Sequence, residues 1–270
     1  MEFYMKNLII THPGSAHFDE FLALSLILTV YPDTDFTIER RQPLPEELDN
    51  PAVWVVDVGD RYEPGLKNFD HHQNIELSAS FVLVAACLGL DSRLREMPWW
   101  TFKDRIDRFG PFKVGDELGI KNLRRSYSPV ETWFLKLFAR TPSEMIPLMR
   151  SFGQNILEEA DHLKAQLDFW ETCEKVTVKD KIVLIGLTDE SDGAERYSNG
   201  LDTPASVVVT HDSRREGWRM ASINDAEGVD FSKLDGHDDI LFAHKSGFMA
   251  KTKERLPIDQ VLKLVGMAMD

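Results

Sequence analysis

Apolar and polar positions change period several times along the chain. Asn7 to Thr11 is a short apolar run that predicts a buried strand, and a loop containing Pro13-Gly14-Ser15 then leads into Phe18 to Val30, where dense Leu and Ala predict a helix. Phe36 to Arg41 predicts a second strand. Val53 to Val58, apolar on both faces and closed by Asp57 and Gly59-Asp60, predicts a central strand of a parallel sheet, and Ala79 to Leu90 returns to helix. This βα alternation predicts an α/β fold class with a doubly wound, mostly parallel sheet and functional groups at the carboxyl ends of its strands.

Further on, Trp99 to Arg140 reads as mostly helical, with turn signals at Gly110-Pro111 and Ser128-Pro129. Pro147 suits a first turn and opens one long helix to about Glu174. Beyond it, Thr177 to Leu187, Ala205 to Thr210, Trp218 to Ile223 and Asp239 to Ala243 predict strands, and Pro257 to Met269 closes with an amphipathic helix. The expected organisation is a catalytic domain over residues 1–142, a helical connector over 143–176, and a smaller α/β substrate-binding domain over 177–270.

Composition narrows the class. A chain of 270 residues that is 43% hydrophobic, with six tryptophans, can bury a real core. The net charge of −14 argues against wholesale wrapping of nucleic acid or anionic lipid, while leaving room for a small anionic substrate held by metal ions or a local basic patch. With only Cys87 and Cys173, neither a disulfide framework nor a thiolate zinc site can be built. The start Met1-Glu2-Phe3-Tyr4-Met5 does not read as a signal peptide, and the longest apolar window, Phe21 to Val30, falls far short of the roughly 20 residues a bilayer requires. A soluble, cytoplasmic protein with no membrane partner is expected.

Three clusters carry hard nitrogen and oxygen ligands, each at the end of an expected strand. In His12-Pro13-Gly14-Ser15-Ala16-His17-Phe18-Asp19-Glu20, a loop between strand and helix can point His12, His17 and Asp19 into one crevice. Asp19 also suits a helix cap, and each lone histidine suits the surface. In the second, Asp57 closes a strand otherwise built for burial. It reads either as a loop cap or as a carboxylate able to bridge two divalent cations. The third is Asn68-Phe69-Asp70-His71-His72-Gln73. On an extended backbone adjacent histidines point to opposite sides, so one can bind metal while the other faces substrate or is held by Asp70.

In this order the clusters resemble motifs one to three of the DHH phosphoesterase superfamily. More closely, Thr11-His12, His17-Phe18-Asp19-Glu20, Val56-Asp57-Val58-Gly59 and Asp70-His71-His72-Gln73 resemble its melanocyte-proliferating-gene family, in which a histidine, matched by His17, replaces the first acid of motif one. Gly217-Trp218-Arg219 and Leu241-Phe242-Ala243-His244-Lys245-Ser246-Gly247-Phe248 are similar to its carboxyl-terminal signature. The resemblance implies a two-metal phosphodiesterase, using manganese or magnesium, with its active site between the two domains. His12, His17 and Asp57 would hold one ion, and Asp19, Asp57 and His71 the second, while His72 would contact the phosphate. Of the fourth-motif candidates Asp104 and Asp107, Asp107 is favoured because it precedes the turn, although Arg108-Phe109 departs from the family pattern.

The chemistry of the ligands agrees with that implication. Histidine and carboxylate without thiolate suit Mn2+, with Mg2+ or Zn2+ as alternatives. Two ions sharing Asp57 would acidify a bridging water and clamp the phosphoryl oxygens. In the second domain four cations against Glu254 leave a net +3 between His244 and Arg255. That stretch suits phosphate held by His244, Lys245 and the Ser246-Gly247 backbone, and it suits equally a solvated edge strand guarded by lysines. By that resemblance the expected function is exonuclease-type hydrolysis of a short RNA or oligonucleotide, releasing mononucleotides, with Asp57, His71 and His72 as the catalytic group. The alternatives are a hydrolase of a small phosphorylated compound, such as a dinucleotide or pyrophosphate, and a non-catalytic metal- or nucleotide-binding regulator. No acyl nucleophile arrangement supports a protein hydrolase, no obligate protein partner is inferred, and a homodimer is left open.

Overall fold

The computed structural model describes residues 7–270, so residues 1–5, read above against a secretory leader, lie outside the described residues. The chain divides into two compact units, Met1–Asp161 and His162–Asp270. In the first, β1 (Asn7–Thr11), α1 (Phe18–Val30), β2 (Phe36–Arg40), α2 (Pro45–Leu48), β3 (Val53–Val56), β4 (Tyr62–Glu63) and β5 (Asn68–Phe69) precede four helices. These are α3 (Ser80–Cys87), α4 (Asp91–Leu94), α5 (Trp100–Glu117) and α6 (Pro129–Arg140). The long α7 (Ile146–Thr172) begins in this unit and ends in the next.

The first sheet has the order β2-β1-β3-β5-β4, and all its pairings are parallel except that of the short β4 with β5. Because β2 lies on one side of β1 and β3 on the other, the winding reverses at β1. The carboxyl ends of β1 and β3 therefore flank the crevice where doubly wound sheets place their ligands. Helix α1 is apolar nearly all round and correspondingly buried from Asp19 to Leu28. Strand β3 ends at Val56, two residues short of the sequence expectation, because Asp57 adopts a left-handed φ of 61° that pleated backbone does not accept. Gly59 follows at φ 98°, where an added Cβ would come within 3.0 Å of Leu48 and 3.1 Å of Pro43. Helix α5 is likewise two segments, broken at Gly110 (φ 78°) where the Gly-Pro pair predicts a turn.

The second unit continues with β6 (Glu174–Val178), β7 (Lys181–Ile185), α8 (Ala194–Asn199), β8 (Val207–His211), β9 (Trp218–Ser222), β10 (Ile240–Ala243), β11 (Met249–Thr252) and α9 (Ile258–Ala268). Its sheet has the order β10-β11-β9-β8-β7-β6 and is antiparallel apart from the β7–β8 pair. Two expectations need correction. Thr177 to Leu187 is a hairpin, turned at Lys179 with φ 49°, because a polar Lys-Asp step interrupts the apolar run. The lysine-rich stretch is not an edge strand, since β11 lies between β9 and β10. Trp170 and the apolar face of α9 pack on opposite faces of this sheet, as alternation along β8 requires: Val208 faces one side, Val207 and Val209 the other.

Candidate metal centre

Strand register assembles the site. Thr11 pairs with Val56 and Val56 with Phe69, so the residues after these three, His12, Asp57 and Asp70, emerge side by side at one sheet edge. Three groups, His12–His17–Asp57, Asp57–His71–His72 and Asp19–His71–Asp107, each have donor atoms within 4.8 Å of one another. All six residues expected to hold metal, and His72, are thus gathered from segments as far apart as β1 and α5.

The His12 Nδ1 lies 2.8 Å from the Pro13 carbonyl, which can only accept, so this nitrogen donates and Nε2 is left as the inward-facing atom. That Nε2 lies 2.6 Å from Glu20 Oε2 and 3.5 Å from Asp57 Oδ2. His17 sits at the amino end of α1, its ring 5.0 Å from that of His12. Glu20 is fully buried and was given no role by sequence reasoning, yet it organises this corner. It accepts from Thr11 Oγ1 at 3.0 Å, from the His17 N–H at 3.1 Å and from Arg40 Nη2 at 2.7 Å. Arg40, at the end of β2, also donates to the carbonyls of Gly14 and Ser15, tying down the loop between the two histidines. The three-residue spacing of His17 and Glu20 at a helix start was the available signal.

Asp57 and Asp19 are each only 2% exposed. The Asp57 backbone is fixed by its N–H to the Phe69 carbonyl, and Oδ1 accepts from Ser80 Oγ at 3.3 Å. Asp19 is indeed a cap, though of α3 rather than of its own helix: its two oxygens accept from the N–H groups of Ser80 at 2.8 Å and Phe81 at 2.5 Å. This tie between distant segments also presents Oδ2 to His71 at 3.5 Å.

His71 and His72 overturn the expectation of an extended pair facing opposite ways. Asn74 N–H donates to the His71 carbonyl in a turn, and the two rings lie together, centroids 4.5 Å apart with 33° between their planes. Both therefore reach Asp57 Oδ1, His71 through Nε2 at 3.5 Å and His72 through Nδ1 at 3.7 Å. His72 is held by Asp70 Oδ1 at 2.7 Å with half its side chain exposed, whereas His71 is buried with Nε2 at 3.0 Å from Asp107 Oδ2. Asp104 turns elsewhere, accepting from the Ala79 N–H at 2.7 Å and from Arg108 at 3.3 Å.

The electrostatics share one sense. Burial opposes the charged form of His12, but Glu20, then the Pro13 carbonyl and Asp57, outweigh it and push its pKa up to about 9. Burial likewise opposes His71, which Asp107, Asp57 and Asp19 together push up to about 10. Asp19 is held well above the carboxylate range by burial first and by Asp107 and Asp57 next, and Asp57 is raised by burial with Asp107 and Glu20. Each group thus binds a proton more tightly than usual, because acids outnumber cations in a dry place. The buried Nε2 atoms of His12 and His71 make no well-directed hydrogen bond despite carboxylate oxygens at 2.6 and 3.0 Å. Ring nitrogens and carboxylate oxygens within 4.8 Å of one another, with no thiolate among them, fit hard or borderline divalent cations that would displace those protons.

In the second unit, His244, Lys245, Ser246 and Gly247 form the turn of the β10–β11 hairpin. His244 Nδ1 accepts from the Ser246 N–H at 3.1 Å and lies 2.7 Å from Ser246 Oγ, while Lys245 is exposed. The neighbouring cations are engaged: Lys251 with Asp212 at 2.6 Å, Lys253 with the Asp238 carbonyl, and Arg255 with the Glu216 carbonyl at 2.9 Å and over the Trp218 ring. Arg219 pairs in register with Thr210. Its Nη1 and the Thr210 Oγ1 are buried with no hydrogen-bond partner among the described residues.

A parallel α/β sheet whose carboxyl edge gathers histidines and carboxylates about Asp57 defines the first unit as an α/β domain of doubly wound type with donor groups that could hold a metal ion. Residues 8–82 match the family model MYG1_exonuc, described as Uncharacterised protein family (UPF0160), and the resemblance to the melanocyte-proliferating-gene family is shown over that stretch, which contains all three motifs. No curated protein matches the sequence. Among solved structures the chain is similar to the pGpG-specific phosphodiesterase PggH of Vibrio cholerae, at 11% identity and a TM-score of 0.33, over 97% of this chain and 98% of that one. It is also similar to RecJ of Thermus thermophilus in complex with Mn2+, at 13% identity and a TM-score of 0.32, over 97% of this chain and 52% of that one, so it spans about half the length of RecJ. Among the described residues no helix is long and apolar enough to cross a membrane.

Proposed function

We propose that this chain is a metal-dependent phosphodiesterase acting on short nucleic acid, as an exonuclease of RNA that releases mononucleotides. The observation that carries this reading is the overlap of the three donor groups, with Asp57 common to two and His71 common to two, in a doubly wound sheet. The family match over residues 8–82 supports it. His12, His17 and Asp57 would hold one divalent ion, and Asp19, Asp57, His71 and Asp107 a second. Such ions supply charge stabilisation at the phosphoryl group and lower the pKa of water.

The chain's own part is positioning and proton control. Glu20 and Arg40 keep the His12–His17 loop in place, and Asp19 ties the amino end of α3 to the cluster. His72 is the exposed member. With Nδ1 on Asp70 its other nitrogen is free to donate to a phosphate oxygen, and its pKa, raised mainly by the Asp70 hydrogen bond, favours that donation. Asp70 is kept ionised, below its ordinary value despite burial, by His72 and by the N–H groups of His72 and Asp60, so it remains an acceptor.

The test is hydrolysis of a labelled RNA oligomer by metal-stripped protein with Mn2+, Mg2+ or Zn2+ restored. The reading expects cleavage that returns with metal, Mn2+ first, and yields mononucleotides. Metal binding without cleavage of any oligomer or dinucleotide would sink it in favour of a regulator.

A further inference from the structure

The first unit contains a cavity of about 840 Å3 that starts at the cluster, where His17, Asp19 and Asp107 line it, and runs between α5 and α6. Its volume falls in the roughly 300–1,000 Å3 typical of small-ligand sites. Phe18, Phe81, Ile106 and Leu135 give it apolar walls, and Lys103, Arg124, Lys136 and Arg140 also line it. Two of these cations are engaged: Lys103 contacts Glu131 at 3.0 Å and lies over the Phe18 ring, and Arg124 stacks over Phe112. Lys136 and Arg140 have no acidic partner among the described residues. They stand four residues apart on α6, where like charges repel. In a protein of net charge −14, two such cations on a cavity wall point to an anion. The wall itself is fixed from behind, because Phe134 and Phe138 of the same helix pack edge-on against Phe21 at 4.8 and 5.4 Å.

We propose that this cavity is a second subsite of the metal centre, taking the nucleotide that adjoins the scissile phosphate and holding that nucleotide's own phosphate between Lys136 and Arg140. The proposal rests on the phosphodiesterase reading and sharpens its substrate class to short chains bearing an additional phosphate. The apolar walls receive the base and sugar, which carry no charge, and the cations receive the phosphate. With Asp19 and Asp107 committed to metal, Glu131 is the one remaining acid among the lining residues, so the cavity as a whole is cationic.

The experiment measures equilibrium binding of a phosphorothioate-linked dinucleotide, with and without a terminal phosphate, to the Mn2+-loaded full chain. It compares the natural protein with the Lys136→Ala/Arg140→Ala double variant, both substitutions being at exposed positions that leave the Phe21 packing intact. The subsite requires that the natural protein prefer the phosphorylated form and that the double variant bind it about tenfold more weakly, with the unphosphorylated form and the Mn2+ stoichiometry unchanged. The salt dependence of binding should also flatten. Equal affinities in both proteins, or an equal loss for both dinucleotides, would overturn it. Failure of the phosphodiesterase reading has its own signature: the phosphorylated dinucleotide binds as described while neither natural oligomers nor dinucleotides are cleaved.

Discussion

The two units each bury acids beside cations, and they do so to opposite effect. In the second, Asp212 sits with Lys251 at 2.6 Å, accepts from Arg214 N–H at 3.2 Å, and is held below its ordinary pKa despite burial. It is a compensated pair. In the first, Asp19 and Asp57 are buried against one another and Asp107, are pushed above their ordinary pKa, and meet histidines that cannot balance them. Buried charge arranged against folding stability in this way is what functional sites show. On the proposed reading the contrast separates charge that serves structure from charge that serves chemistry, in one chain and with the same residue types.

The sharpest way to break the contrast is Asp57→Asn. Asparagine keeps the shape and tolerates the left-handed φ of 61°, so the fold should persist by circular dichroism. Hydrolysis of an RNA oligomer should fall by roughly 10²–10³-fold or more, the scale of losing one preorganised electrostatic group. Activity within about tenfold, or ~1.4 kcal/mol of barrier, would remove Asp57 from the centre of the mechanism.

Next in size is stabilisation by metal. Because the cluster concentrates acids, Mn2+ at about a hundred times its Kd should add ~2.7 kcal/mol, raising Tm by several degrees in a thermal scan, and EDTA should reverse this. An unchanged Tm across Mn2+, Mg2+ and EDTA would place the first unit's charges in the same structural category as Asp212.

Lys251→Met probes the other side. It strands Asp212, and a urea titration should show a loss of about 1–3 kcal/mol with Mn2+ binding unchanged. The pH dependence follows from the lowered pKa of Asp212. Its contribution is fully present above the ordinary carboxylate value near 4 and is lost as pH falls through the still lower folded value. In the variant that acid limb should shrink, and an identical limb in both proteins would mean that the pair does not matter to folding.

The smallest effect is expected of Lys245→Ala. The exposed lysine at the His244–Gly247 turn should weaken oligonucleotide binding modestly and reduce the slope of log affinity against log salt by about 0.7, one phosphate contact, without altering metal affinity. An unchanged slope would leave the hairpin turn structural and confine phosphate recognition to the first unit.

How much of this was legible in the sequence depends on how local each cause is. The strand at Asn7–Thr11, the helix after Ala16-His17 and the break at Gly110 follow from apolar period and from what glycine and proline do to backbone, so they are readable within a dozen residues. The first two polar clusters were visible because each closes an apolar strand, and the third because it sets Asp70, His71 and His72 in a row. The turn that brings the ring of His71 beside that of His72, the capping of α3 by Asp19, and the service of Glu20 and Arg40 were not. Each depends on which strands lie side by side and in what register. Register is decided by summed burial over the whole sheet and not by any one segment. The sequence alone determined which residues could carry the chemistry, since side-chain type and strand-end position are local properties. Only the tertiary structure decided which of them meet, because a distance between His12 and Asp57 exists only once β1 and β3 have packed.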